Sequence, residues 1–160
     1  LLIDRELDRP AYSAMMNRMD CFVSPHRSEG FGRGPAECLL LGKPLIVTAY
    51  SGNMDYCSES NAWLIPYELV QVKPGAYVDW SEQVWAAPDL NALTDAMLDV
   101  RVNGKQSSRP KAGQALIAEK YSVSSVGKAV SVALKSLEID PPEGANRTKN
   151  RESKQNAKSP

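Results

Sequence analysis

The chain has 160 residues, 42% hydrophobic and 24% charged, a mix that suits one soluble globular domain and leaves too little length for two. Its 19 Lys and Arg balance its 19 Asp and Glu, which argues against nucleic acid or an anionic membrane surface as the main partner. No apolar run approaches the roughly 20 residues that would cross a bilayer, so membrane association is at most peripheral. The chain opens Leu1-Leu2-Ile3 without a Met or a secretory leader, in what reads as the end of a strand. A C-terminal piece of a longer protein is therefore expected. Cys21, Cys38 and Cys57 have no C-x-x-C pair and are odd in number, so they are expected to be free thiols in a reducing cytoplasm. With one His there is no zinc-ligand set, and no metal is expected.

In chain order, Asp8 or Arg9 before Pro10 signals a helix start, with Tyr12, Met15, Met16 and Met19 at helical spacing as core filler. Cys21-Phe22-Val23 is a buried strand and Ser24 to Ser28 a loop. Gly34-Pro35 starts a helix over Ala36 to Leu41, stopped by Gly42, and Leu45-Ile46-Val47 is a second buried strand. Strand, loop, helix and strand at this spacing form a βαβ unit. Both strands read as apolar on both faces, as a parallel sheet covered by helices requires. Ser51-Gly52-Asn53 is a turn, and Ala62 to Ile65 is a strand ended by Pro66. Residues 67–88 show no period and read as an ordered excursion in which Trp80 and Trp85 need a partner surface. Asp89 caps a helix to about Val102, with Leu90, Leu93, Ala96, Met97 and Val100 on one face. Two further helices follow, from Pro110 to Tyr121 and from Ser122 or Ser124 to Leu137. Beyond Asp140 no apolar residue is larger than Ala157, too little to bury. The expected architecture is an α/β, Rossmann-like parallel sheet flanked by helices over 1–138, with a disordered polar tail over 139–160.

The chemistry concentrates in Ser28-Glu29-Gly30-Phe31-Gly32-Arg33-Gly34-Pro35-Ala36-Glu37, between the C-terminal end of a strand and a helix N-terminus. Ligands bind at that edge of an open α/β sheet. Three glycines allow close approach of the backbone, the helix N-terminus suits a phosphate, and Arg33, taken ahead of Arg27, adds a charge for the same group. Glu29 and Glu37 flank this anion site, and carboxylates accept hydrogen bonds from hydroxyls. Phosphate in the middle with hydroxyl acceptors at both ends describes a nucleotide-diphospho-sugar. A dinucleotide fingerprint would use the same glycines, but Pro35 stands where its third glycine belongs, and the glycines begin several residues past the strand. His26, in the loop before the motif, reads either as a structural His or as a donor-site residue. Asn53, at the end of the next strand on the same edge, reads either as a turn residue or as part of the site.

Glu29 and Glu37, with seven residues between them, match the paired-glutamate motif of retaining GT-B glycosyltransferases. "SEGFG", a helix ending in "LLGKP" and then "LIVT" resemble the corresponding run of glycosyltransferase family four. "YSGNMDY" and "WLIPYELV" are similar to a branch acting on bacterial surface polysaccharides. The resemblance covers about residues 1–100 and departs from the family at Gly34-Pro35, where many relatives place Pro one position earlier. It implies the C-terminal, donor-binding half of a GT-B fold that moves a sugar from a nucleotide-diphospho-sugar to a glycan or lipid-linked glycan. By that resemblance Glu37 binds the ribose hydroxyls, and Glu29 holds the transferred sugar as the catalytic residue. Gly30, Phe31 and Gly32 pass over the donor sugar and diphosphate. The nucleotide-sugar is a substrate, so no cofactor is implied, and the family needs no metal. The family's diphosphate-gripping cations and acceptor site have no counterpart here and imply an upstream Rossmann-like domain of the same polypeptide, without which the fragment is expected to be inactive. The alternative is a nucleotide-sugar-binding module of a larger assembly, with no catalysis of its own.

Overall fold

The computed structural model describes residues 2–137. The element order is α1 (Arg9–Arg18), β1 (Phe22–Ser24), α2 (Arg33–Leu40), β2 (Leu45–Thr48), β3 (Trp63–Ile65), β4 (Tyr67–Gln71), β5 (Val84–Pro88), α3 (Leu90–Asn103), α4 (Arg109–Lys120) and α5 (Val123–Ser136). A single 3₁₀ turn, Gly52–Asp55, lies between β2 and β3. The chain divides into two compact units at Tyr121 and Ser122.

In the first unit β1, β2 and β3 form a parallel sheet in that order, with Val23 opposite Ile46 and Val47 opposite Leu64. Parallel pairing brings the C-terminal ends of all three strands to one edge. Side chains alternate across the sheet. Leu45 and Val47 join Met16, Cys38, Leu39 and Ile117 in a core against α1, α2 and α4. Ile46, Trp63 and Ile65 meet Leu93, Ala96 and Val100 of α3 on the other face. This is an α/β parallel sheet flanked by helices, the Rossmann-like class read from the βαβ pattern. The Trp63 indole N–H donates to Asp99 Oδ2 at 2.6 Å, and the Arg109 guanidinium lies 4.5 Å from the Trp63 ring centroid. These contacts pin α3 and the start of α4 to β3.

The expectation of two fully buried strands holds for β2, whose four residues are all buried, but not for β1. Val23 is 37% exposed, because β1 has β2 on one side only among the described residues and α3 packs on β2 and β3. The strand end expected at Leu1–Ile3 is absent from the described part of that segment, where Leu2 and Ile3 lie exposed with nothing to pair against. The unpatterned stretch 67–88 contains an antiparallel hairpin, β4 with β5, in which Val70 faces Trp85. Three helix starts match their caps: Asp8 accepts from Ala11, Asp89 from Asn91 and Ala92, and Ser122 from Ser125. The second unit is described by α5 alone, and the segment read as a tail, 139–160, lies outside the described residues.

Candidate functional site

Helix α2 begins at Arg33, two residues before the Pro35 that marked its start in the sequence. Proline is tolerated in a first helical turn because its missing N–H would have no partner there anyway. The preceding residue, Gly32, is left-handed at φ 81 and gives α2 no side-chain cap. The result is a row of free donors. Among the described residues the backbone N–H groups of Gly30, Phe31, Gly32, Arg33 and Gly34 have no hydrogen-bond partner, and the first paired one is Ala36, to Gly32 at 3.0 Å. Consecutive unpaired amides at the positive end of a helix make an anion cradle.

The loop that carries these donors is held from behind. The Glu29 N–H donates to Ser51 Oγ at 2.8 Å, and the Gly52 N–H returns a bond to the Glu29 carbonyl at 3.0 Å. Ser51 makes this contact from φ 70, a backbone region that costs a side-chain-bearing residue about 1–3 kcal/mol. The Tyr56 hydroxyl lies 2.8 Å from the Phe31 carbonyl and 2.6 Å from that of Gly32. Burial first, then Cys57 and the Glu29 carboxylate, raise the Tyr56 phenol above its ordinary value, so it stays a neutral donor. The Phe31 ring packs against Tyr56 at 5.1 Å and Tyr121 at 5.6 Å between centroids. With the carbonyls tied down by Tyr56, the loop's amides are its free hydrogen-bonding face.

The expected site residues separate into two groups. Glu29, Gly30, Phe31, Gly32 and Arg33 come together on this loop and the first turn of α2, at the C-terminal edge of the sheet. Glu29 is half-buried and Arg33 exposed. Glu37 lies one turn further along α2, half-buried, and its Oε1 accepts from Arg9 Nη1 at 3.1 Å. Burial and the adjacent Glu37 carboxylate hold the Tyr12 phenol above its ordinary value. Arg9 and Tyr12 were not read as neighbours of the site, since nothing local links them to a residue in the next helix. His26 is engaged within the chain: its Nε2–H donates to the Tyr50 carbonyl at 3.0 Å, leaving Nδ1 to accept from Ser24 Oγ at 3.4 Å. It ties the loop after β1 to the loop after β2. Asn53 is fully buried, its Nδ2 donating to the Thr48 carbonyl at 3.0 Å while Oδ1 has no partner. Arg27 turns to the hairpin and lies 4.8 Å from the Trp85 ring centroid.

Among the described residues no three His, Cys, Asp or Glu side chains converge as metal ligands. No described helix is long and apolar enough to cross a membrane. Cys38 and Cys57 are buried and Cys21 is half-buried, all as free thiols.

One comparison with known proteins bears on this geometry. Residues 6–71 match the family model of the group 1 glycosyl transferases. The matched segment runs from just before α1 to the end of β4 and contains Glu29, the row of free amides and Glu37. The match supports that family and a role in glycosyl transfer. No curated protein matches the chain.

Proposed function

We propose that this chain is the donor-binding part of a retaining GT-B glycosyltransferase of family four, transferring a sugar from a nucleotide-diphospho-sugar to a glycan or lipid-linked glycan acceptor in bacterial surface polysaccharide synthesis. The observation that carries the reading is the run of unpaired N–H groups from Gly30 to Gly34 between two half-buried glutamates. The diphosphate lies on those amides, with Arg33 adding a cation. Glu37 accepts from the ribose hydroxyls once they displace Arg9, an exposed partner whose ion pair is worth under about 1 kcal/mol. Glu29 accepts from the hydroxyls of the transferred sugar and orients its anomeric carbon. In the transfer step the bond from that carbon to the diphosphate oxygen breaks. The acceptor hydroxyl oxygen bonds to the carbon on the same face, and its proton passes to the departing phosphate. Amides fixed in advance favour the charge that develops on the leaving group. Gly30, Phe31 and Gly32 serve through their backbone. His26 and Asn53 shape the loops at this edge from inside the fold.

On this reading the nucleotide-sugar is consumed as substrate and no metal or further cofactor takes part. An upstream Rossmann-like domain of the same polypeptide, cytoplasmic like this one, closes the cleft and carries further cations. A thermal-shift screen of the chain against UDP, GDP, ADP and dTDP tests the binding. At 100 times Kd one of them is expected to stabilise the fold by about 2.7 kcal/mol. No shift with any of the four at millimolar concentration contradicts the reading.

A further inference from the structure

Glu29 and Gly30 have a second neighbourhood. On the side facing the β4–β5 hairpin they join Arg27 and residues of the connection between β4 and β5 in lining a cavity of ≈ 600 Å³. The hairpin is fastened to this loop by the Ala86 N–H, which donates to the Arg27 carbonyl at 2.9 Å, and by the Arg27 guanidinium lying over Trp85. The polar groups in the wall are Arg27, Ser28, Glu29, Tyr77, Asp79, Gln83 and Trp85, and the Trp85 indole Nε1 is buried without a partner. The family match ends at the last residue of β4, so Tyr77, Asp79, Gln83 and Trp85 all lie beyond it.

The charges decide what such a pocket accepts. Two carboxylates against one guanidinium leave it a net negative charge, which repels a phosphate or diphosphate. The guanidinium covers a face of Trp85 and takes that face from a stacking nucleobase. What remains is two carboxylates, a carboxamide, a phenol and a serine hydroxyl beside apolar valine side chains, a wall that accepts hydroxyl hydrogens and packs against C–H groups. That chemistry suits a neutral polyhydroxylated molecule. We propose that the pocket between the Arg27–Gly30 loop and the β4–β5 hairpin is a carbohydrate subsite for the acceptor, contributed by this chain itself. The assignment to the acceptor rests on the donor reading for Glu29: a sugar in this pocket lies next to the sugar that Glu29 holds.

Titration of the 160-residue chain with maltotriose, cellotriose and mannotriose, followed by saturation-transfer NMR, tests this. Asp79→Asn and Gln83→Ala are the variants, both at exposed positions whose backbone bonds survive the change. At least one trisaccharide is expected to bind, each variant to weaken it by about tenfold, and UDP, GDP, UDP-glucose and GDP-mannose to bind the variants unchanged. No binding by any of the three sugars at millimolar concentration overturns the proposal, and so does binding that neither variant weakens. Equal weakening of the nucleotide-sugars would assign the pocket to the donor and overturn it as well. The diphosphate titration separates the two readings. Diphosphate binding without trisaccharide binding removes the acceptor subsite alone, whereas trisaccharide binding without diphosphate binding removes the donor reading.

Discussion

A methyl group added at Gly30, Gly32 or Gly52 meets a different fate at each. At Gly52 the new Cβ would run into the Gly30 carbonyl oxygen, and at Gly32 it would lie 2.8 Å from the Tyr56 hydroxyl on a residue already at φ 81. Both substitutions to Ala are expected to destabilise the fold by about 1–3 kcal/mol. At Gly30 the Cβ has open space and an ordinary φ, so Gly30→Ala should change stability by no more than about 0.5 kcal/mol. Yet the methyl stands where the loop is to meet the diphosphate. Gly30→Ala should therefore weaken the nucleoside diphosphate by about tenfold or more, since hydrogen bonds to charged groups are worth about 1.5–3 kcal/mol each. Calorimetric titration alongside a melting curve separates these effects, and an unchanged affinity for Gly30→Ala would show that the loop backbone is not at the ligand. The sequence located this loop and its two glutamates because glycine, proline and acidic residues cluster there. It did not reveal that three glycines are present for three different reasons. Gly30 leaves a surface open, Gly32 reverses the chain, and Gly52 lets two loops touch, and the last depends on a residue more than twenty positions away. The same distance hid the role of Ser51.

Among the elements, α1 and α2 share one consequential contact. Arg9, the first residue of α1, reaches Glu37 on α2 and occupies the oxygen that the ribose is to use. The arginine is 76% exposed at its side chain, so the pair is weak and acts as a competitor more than as a brace. Arg9→Ala is expected to tighten nucleoside diphosphate binding by up to about fivefold with little change in stability, measurable in the same titration. Weaker binding would mean that Arg9 contacts the nucleotide instead. Elements with strong local signals were legible: β2 from a run of apolar residues, α3 from Asp89 at its start, and α1 and α5 from starts read as Asp8 or Arg9 and Ser122 or Ser124, where the caps are Asp8 and Ser122. The β4–β5 hairpin was not. Its strands are joined through the connection over 72–83, their exposed residues follow no alternating pattern, and only the register pairing Val70 with Trp85 reveals them. Strand β1 was recognised, but its burial was overestimated. Composition cannot say which strand stands at the edge of a sheet.

At the scale of the molecule, three parallel strands place the loops after β1 and β2 side by side, and the bonds from Glu29 to Ser51 and Gly52 lock them into one surface. That surface presents free amides in the middle, Glu29 on the side of the hairpin and Glu37 on the side of α1. The order sugar, diphosphate, ribose along it is the central claim, and it makes the two glutamates experimentally distinct. The most direct test is to titrate a nucleoside diphosphate and its nucleotide-sugar into Glu29→Ala and Glu37→Ala. Glu37→Ala should weaken both ligands alike, because both carry ribose, by about tenfold. Glu29→Ala should weaken only the nucleotide-sugar and leave the bare diphosphate untouched. Equal losses of the bare diphosphate in both variants, or a loss in Glu29→Ala alone, would contradict the assignment of sugar and ribose to opposite ends of the cradle.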